Sequence, residues 1–313
     1  MNSARTTTLS LLSTFLFALG GLLVVPASAR QLDGPVTIES FPVGAGPTFM
    51  ASDGANIWVT NSFDNTVTKL RASDGAIVGT FAVGSNPQWI IFDGINVWIS
   101  NTLGDTLSKL RASDGSVVGT FPVGAAPEGI AWDGADIWVA SNTDNTVTKL
   151  RGSDGALLGT FPCGSTPWGV LFDGANIWVA NGVYGTVTKL RASDGTIVGS
   201  VAVGSFPICL TFDGTKIWVT DNVASVVVAL RLSGRIQGTF PVGTNPVGIA
   251  YDGANIWTAN QEADTVTRLR ARSGLITRTI PVEDQPIGIL YDGMSIWVAN
   301  ASSNTVDKIS PSH

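Results

Sequence analysis

The chain has 313 residues, of which 44% are hydrophobic and 13% are charged, and its net charge is −6 at neutral pH. An acidic chain argues against nucleic acid as the main partner, because phosphate backbones attract basic surfaces. The single histidine, His313, leaves no His and Cys spacing of the kind that binds zinc, so we expect neither a metal nor another cofactor.

The first predicted element is a signal peptide over residues 1–29. Arg5 is its only charge, residues 9–25 are largely apolar, and Ala27-Ser28-Ala29 fits a small-residue cleavage site. An uncleaved membrane anchor is the alternative. We expect cleavage after Ala29 and a secreted or periplasmic protein without a stable membrane span, since no later stretch is apolar for long enough.

Residues 30–313 repeat with a period of about 40 residues, which we assign to one domain. The period is marked by a tryptophan in an Ile/Val-Trp strand after an Asp-Gly turn. These tryptophans are Trp58, Trp98, Trp138, Trp178, Trp218, Trp257 and Trp297. A fixed period of this size predicts a repeat architecture.

One unit, residues 47–84, contains four short runs rich in β-branched and aromatic residues, separated by Gly, Asp and Asn turns. No stretch shows a sustained helical period. Four-stranded units of this length are typical of propeller blades, so the sequence predicts an all-β fold.

The two ends of the repeat region predict ring closure. The last unit stops after its third strand, whereas residues 34–44 match the fourth strand of other units, such as residues 116–124. We therefore predict a single seven-bladed β-propeller of four-stranded blades, closed by the N-terminal strand pairing in the last blade, because closure leaves few open sheet edges.

A basic residue recurs in the third strand of six units. The set is Lys69, Lys109, Lys149, Lys189, Arg268 and Lys308, and unit five carries Val228 there. We interpret these charges as inter-blade partners of turn aspartates.

The two cysteines occupy different repeat positions. Cys163 and Cys209 fall about two blades apart, beyond the ~7 Å limit on the Cα separation of a disulfide. We predict two unbridged thiols.

The repeated sequence motif resembles those of known propeller families. Runs such as Ile177-Trp178-Val179-Ala180-Asn181 and residues 246–253 resemble the YVTN family of exported β-propellers, and also the propeller of streptogramin (virginiamycin B) lyases. The resemblance covers the whole chain after the signal peptide. It implies the propeller fold, but one fold hosts many functions.

The resemblance to the lyases implies histidines at the channel mouth, some directly after the repeated proline, with a glutamate and Mg²⁺. The post-proline residues here are Thr48, Gln88, Glu128, Trp168, Ile208, Val247 and Ile287, and none is histidine. Elimination chemistry needs a base or acid that titrates near neutral pH, for which histidine is the usual choice. We therefore expect no lyase activity of that type.

The candidate ligand site follows from positions where the units differ. Five residues break the pattern of Ile, Val and Gly near the predicted channel mouth, on the side of units one to four: Gln88, Trp89, Glu128, Trp168 and Tyr184. Aromatic faces can stack a sugar or side chain, while Gln88 and Glu128 can fix orientation. A packed, inert channel rim is the alternative.

Two functions stay open from the sequence. The first is an exported, monomeric, non-catalytic propeller that binds a protein, peptide or glycan of the cell envelope. The second is a streptogramin lyase-like carbon-oxygen lyase, or another propeller enzyme with a degenerate or unrecognised site.

Overall fold

The computed structural model describes residues 34–311, and all regular structure in that range is β-strand. These residues form 28 strands in seven four-stranded sheets. Within the described range no helix is long and apolar enough to cross a membrane. The predicted signal peptide and His313 lie outside the described residues.

Each sheet is one blade, numbered in chain order, and the strands are as follows. Strand β1 is Val36–Pro42. Blade 1 contains β2 (Pro47–Ser52), β3 (Asn56–Asn61), β4 (Thr66–Arg71) and β5 (Ile77–Ala82). Blade 2 contains β6 (Pro87–Phe92), β7 (Asn96–Asn101), β8 (Thr106–Arg111) and β9 (Val117–Pro122). Blade 3 contains β10 (Pro127–Trp132), β11 (Asp136–Ser141), β12 (Thr146–Arg151) and β13 (Leu157–Pro162). Blade 4 contains β14 (Pro167–Phe172), β15 (Asn176–Asn181), β16 (Thr186–Arg191) and β17 (Ile197–Ala202).

The remaining blades follow the same order. Blade 5 contains β18 (Pro207–Phe212), β19 (Lys216–Asp221), β20 (Val226–Arg231) and β21 (Ile236–Pro241). Blade 6 contains β22 (Pro246–Tyr251), β23 (Asn255–Asn260), β24 (Thr265–Arg270) and β25 (Ile276–Pro281). Blade 7 contains β26 (Pro286–Tyr291), β27 (Ile296–Asn300) and β28 (Thr305–Pro311), with β1 as its fourth strand.

The ring closes as predicted. Strand β1 runs antiparallel to β28, with Val36 opposite Pro311 and Phe41 opposite Val306. Strands β26 and β27 of blade 7 in turn contact β2 of blade 1. The chain is therefore a seven-bladed β-propeller, and the predicted fold class is confirmed.

An aspartate and a tryptophan organise the same turn in each blade. In blade 1, Asp53 accepts hydrogen bonds from the backbone N–H groups of Ala55 and Asn56, and from Trp58 Nε1 at 2.9 Å. Gly54 takes the left-handed backbone of this turn, with φ at 91°. All seven repeated tryptophans are buried between blades, so they supply the packing that the sequence period predicted.

In five blades the recurring lysine joins the blade to the next, whereas Arg268 of blade 6 donates to Thr277 of its own blade. Lys69 lies 4.8 Å above the Trp58 ring and donates to the backbone carbonyl of Ala112 in blade 2 at 2.7 Å. Its ammonium is 4.0 Å from Asp53 of its own blade. The ion pair of Lys69 is therefore within its own blade, and its contact between blades is to a backbone carbonyl. Lys109 also interacts with the turn aspartate Asp154 of the next blade.

The residue predicted for blade 5 in that series was wrong. Ala229, not Val228, faces Trp218 in the register of β19 and β20, so Ala229 occupies the lysine position. Lys216 of β19 supplies the ammonium instead. It lies 4.8 Å above the Trp218 ring, 3.6 Å from Asp213, and donates to the backbone carbonyl of Ala271 in blade 6 at 2.5 Å.

Candidate functional site

The channel wall is built by the first strand of each blade, which contacts the first strand of the next. In blade 1, Pro47 pairs with Asn61, and the register then shifts until Met50 faces Val59. The two residues after each proline therefore form a bulge at the inner end of the sheet. Gly169 occupies the second bulge position in blade 4, where an added Cβ would overlap the backbone carbonyl of Ile208 in blade 5.

The structure brings together three of the five candidate residues: Trp89, Glu128 and Trp168. Trp89 stacks on Phe49, with ring centroids 3.9 Å apart and 16° between the planes. Trp168 lies 6.2 Å from Phe206 at 60°. One apolar cluster, which we call the channel cluster, includes these residues from several blades: Phe49, Trp89, Trp168, Phe206, Ile208, Cys209, Val247 and Ile287.

Glu128 is the carboxyl group beside this cluster. It is 6% exposed, and burial raises its pKa to about 8 although a hydrogen bond from the Trp89 side chain opposes the shift. Burial, and then the nearby charge of Glu128, raise the pKa of the Cys209 thiol. Glu128 is therefore protonated at neutral pH and can donate a hydrogen bond as well as accept one.

Trp168 carries a polar group without a partner. Its indole Nε1 is buried and has no hydrogen-bond acceptor among the described residues, while the residue as a whole is half-buried. A buried donor without an acceptor costs about 1–3 kcal/mol. This N–H is thus available to a ligand acceptor that reaches the channel cluster.

The other two candidates lie outside these contacts. Gln88 uses its side-chain Nε2 to donate to Asn86 Oδ1 at 3.0 Å. Tyr184 is 71% exposed and borders a surface groove with Cys163, Gly164 and Ser165. The side chain of Gln88 is thus bonded to Asn86, and Tyr184 belongs to a groove whose lining includes neither Trp89 nor Trp168.

Phe206 is a site residue that the sequence reasoning missed. The residue before the inner-strand proline has a positive φ of 50–64° in the other six blades, but Phe206 does not, because that conformation is strained for a bulky side chain. The Asp221 carboxylate instead accepts hydrogen bonds from the backbone N–H groups of Ser205, Phe206 and Ala224. An aromatic residue before Pro207, where other units have small or polar residues, was the available signal.

Exposed apolar side chains surround the mouth on the loops between second and third strands. They are Phe63 at 76%, Leu103 at 75%, Val183 at 57% and Val223 at 68% exposure. These loops share a face with the segments before the inner prolines, as shown by the hydrogen bonds from Ser62 N to Gly46 O and from Gly182 N to Thr166 O. The rim of the mouth therefore carries exposed apolar side chains in blades 1, 2, 4 and 5, beside loop carboxylates such as Asp64 and Asp144.

The residues present do not fit the Mg²⁺ that the lyase resemblance implies. That ion takes oxygen ligands in octahedral geometry, whereas Glu128 is the carboxylate beside an otherwise aromatic and aliphatic cluster. In the described part of the chain, no group of three or more His, Cys, Asp or Glu side chains could hold a metal ion. Both cysteines are free, which confirms that they are unbridged.

Comparison with known proteins defines the fold class. No family model and no curated protein matches the chain. Among solved structures, a streptogramin B lyase superposes with a TM-score of 0.78 at 19% identity, over 88% of this chain and 98% of the other.

Two further solved structures are similar to the same extent. The virginiamycin B lyase from Staphylococcus aureus gives 0.77 at 20% identity, over 88% of this chain and 99% of the other. The hydrazine synthase of Kuenenia stuttgartiensis gives 0.76 at 18% identity, over 85% of this chain and 96% of the other. At these identities the likeness establishes a lyase-like seven-bladed propeller fold, and the YVTN assignment stays a prediction.

Proposed function

We propose that this chain is an exported, non-catalytic binding propeller of the YVTN type. Its ligand is an uncharged group of a protein, peptide or glycan of the cell envelope, bound at the channel mouth. The observation that carries the proposal is that two half-buried indoles, Trp89 and Trp168, share the channel cluster, and that Trp89 donates a hydrogen bond to the buried carboxyl of Glu128 beside it.

The chemistry of this cluster favours a neutral ligand with a hydrogen-bond acceptor. Trp168 Nε1 has no acceptor within the described residues, and the neutral Glu128 carboxyl can donate. The aromatic faces of Trp89 and Phe49 supply apolar contact. A charged ligand group would lose its hydration against the aromatic and aliphatic side chains of the channel cluster.

Export and monomeric state belong to the same proposal. The signal peptide pattern of residues 1–29 supports export to the periplasm or the cell exterior. Mass spectrometry of the protein recovered outside the cytoplasm should show a chain that begins at Arg30, and a chain that retains residues 1–29 would contradict export by cleavage.

Binding is tested with soluble muropeptides, because these carry both glycan and peptide groups of the envelope. Calorimetry should show saturable binding that weakens at least tenfold in Trp168→Ala. Trp132→Ala is the matched control, since Trp132 is also half-buried but packs against Gly152, away from the channel cluster. Absence of binding to the folded protein, or equal binding by both variants, would contradict the site.

An enzyme of the lyase-like class is the second candidate, because Glu128 has a pKa of about 8 and could exchange a proton near neutral pH. One similar structure is a catalytically inactive histidine-to-alanine variant of the S. aureus lyase with quinupristin. Incubation with quinupristin and liquid chromatography distinguish the functions. A new product that disappears in Glu128→Gln would establish the enzyme and overturn the non-catalytic proposal.

A further inference from the structure

A cavity between blades 4 and 5 lies far along the sheets from the channel cluster, beside the outer strands. Its volume is about 430 Å³, and its lining includes Trp178, Val198, Val201, Leu232, Gly234 and Arg235. Its origin is visible when this interface is compared with the others in the ring.

In five blades the place of this cavity is filled by a phenylalanine of the fourth strand. The ring packs against the repeated tryptophan of its blade, with centroids 5.3–5.9 Å apart. The five pairs are Phe41 with Trp297, Phe81 with Trp58, Phe121 with Trp98, Phe161 with Trp138, and Phe240 with Trp218. Each ring also lies against the turn glycine of the following blade, as Phe161 does against Gly195.

Blade 4 carries Val201 instead of phenylalanine. As a result, an added Cβ at Gly199 of the same strand or at Gly234 of the following turn would meet no atom within 4 Å. Blade 6 also lacks the phenylalanine, but Ile280 there is 5% exposed and packs with Val36 of β1 in one cluster. The interface between blades 4 and 5 therefore lacks the phenylalanine ring, and no other side chain fills its volume.

A second departure from the repeat occurs at the same interface. The turn between the third and fourth strands of blade 5, residues 232–235, is one residue shorter than its counterparts and lacks the aspartate that blades 1 to 4 carry there. In blade 4 that aspartate, Asp194, pairs with Arg191 at 2.8 Å. Arg235 instead lines the cavity together with Lys189, and no carboxylate belongs to the lining.

We propose that this cavity is a binding site for a small aromatic carboxylate. The aromatic ring occupies the place of the missing phenylalanine, against Val201, Gly199 and Gly234. The carboxylate lies toward the exposed Arg235 guanidinium, which suits planar, bidentate recognition. The volume is sufficient, since an apolar cavity of about 150 Å³ already admits benzene.

Phenylacetate is the probe, titrated into the purified protein and followed by calorimetry and by the NMR signals of the ligand. We expect one site per chain with a Kd on the order of 1 mM, as the ligand has few atoms. Val201→Phe should weaken binding at least tenfold and raise the melting temperature, because the other blades accept the same ring. Should that variant fail to fold, Gly199→Met blocks the cavity from its own strand, at a position where blade 6 carries Arg278.

Phe161→Val is the matched gain-of-site control. It makes the interface between blades 3 and 4 resemble that between blades 4 and 5. A second, weaker phenylacetate site should therefore appear in Phe161→Val, whereas Val201→Phe should gain no site. Benzyl alcohol should bind the wild type at least threefold more weakly than phenylacetate, and Arg235→Gln should remove that preference.

Three results would overturn the proposal. They are no saturable binding at 10-fold above the expected Kd, binding that Val201→Phe and Gly199→Met leave unchanged, and equal affinity for the charged and uncharged probes. Trp168→Ala should bind phenylacetate as the wild type does, whether or not it binds muropeptides, because Trp168 is not in the lining of this cavity.

Discussion

Glu128 shows how the surroundings of one residue set both chemistry and stability. Its carboxyl group is nine-tenths buried beside Trp89 and Cys209, and its pKa rises from 4.5 to about 8. Between these values the unfolded chain is ionised at Glu128 while the folded chain keeps the proton. Raising the pH therefore favours unfolding, and the stability present below pH 4.5 is lost as the pH approaches 8.

The first prediction is that Glu128→Gln flattens this dependence. The free energy of unfolding of the wild type should fall between pH 5 and pH 8 by up to about 1.4 kcal/mol per pH unit more than that of the variant. Urea denaturation at several pH values measures it. Glu39→Gln, which changes an exposed carboxylate of β1, is the control. Parallel profiles for wild type and Glu128→Gln would show that Glu128 is ionised in the folded protein.

Backbone strain is the second feature at the residue scale. Ala126 precedes Pro127 with φ at 51°, although the same position is Gly46 in blade 1 and Asn86 in blade 2. A left-handed conformation costs a residue with a Cβ about 1–2 kcal/mol. We expect Ala126→Gly to raise the free energy of unfolding by about 0.5–1 kcal/mol, after the entropy that glycine loses.

Thermal denaturation measures this effect against a close neighbour. Ala125→Gly is the matched control, since Ala125 is outside the set with positive φ. It should leave stability unchanged or lower it. An Ala126→Gly protein no more stable than Ala125→Gly would mean that the chain relaxes the strain elsewhere.

At the scale of the element, the contact between blades depends on where the lysine ammonium group lies and not on which strand carries the lysine. Lys109 of β8 reaches the carbonyl of Gly152 at 2.8 Å, and Lys216 of β19 reaches the equivalent carbonyl of Ala271 from the neighbouring strand. Both ammonium groups lie over the tryptophan of their blade, at 4.6 and 4.8 Å. The ammonium group that makes this contact between blades can therefore come from either the second or the third strand of a blade.

The third prediction uses this exchange. Lys216→Asn should destabilise the protein by about 1.5–3 kcal/mol, the range for hydrogen bonds to a charged group. Ala229→Lys on that background should restore most of the loss, because it recreates the arrangement of the other blades. Denaturant unfolding of the single and double variants measures both steps. A double variant as unstable as Lys216→Asn would show that β20 cannot supply the ammonium in blade 5.

The sequence predicted what the repeat period controls and missed what single departures control. Seven tryptophans and Asp-Gly turns sufficed for blade number and strand order, since each unit obeys the same local rules, and the repeat split between residues 34–44 and the last unit predicted closure. Trp89, Glu128 and Trp168 could be singled out from the sequence because the two residues after each repeated proline lie in the first strand of the blade, which lines the channel. Tyr184 borders a separate surface groove and stays an untested candidate. Phe206 was missed, because the conformation before Pro207 depends on Asp221 contacts that the period does not encode.

At the scale of the whole molecule, stability depends on joining the two ends of the described chain. Strand β1 is far in sequence from the other three strands of blade 7, yet it supplies that blade's fourth strand, and the Phe41 ring centroid lies 5.9 Å from that of Trp297. The same Phe41 ring covers the turn glycine Gly75 of blade 1. One segment therefore completes a sheet and seals the junction between the last blade and the first.

The last prediction follows from this double role. A chain that starts at Gly44 should be less stable than one that starts at Asp33, and the loss should exceed that of removing the half-buried Phe41 ring alone. The larger loss is expected because the truncation also leaves the β28 edge unpaired and exposes it to association with other chains. Phe41→Ala in the longer chain separates the two effects, since it keeps the β1 backbone and removes only the ring. Calorimetric unfolding and size-exclusion chromatography should rank the three proteins, with the truncated chain least stable and most associated. Equal melting temperatures for the truncated chain and Phe41→Ala would mean that the strand closes the ring through its side chain alone.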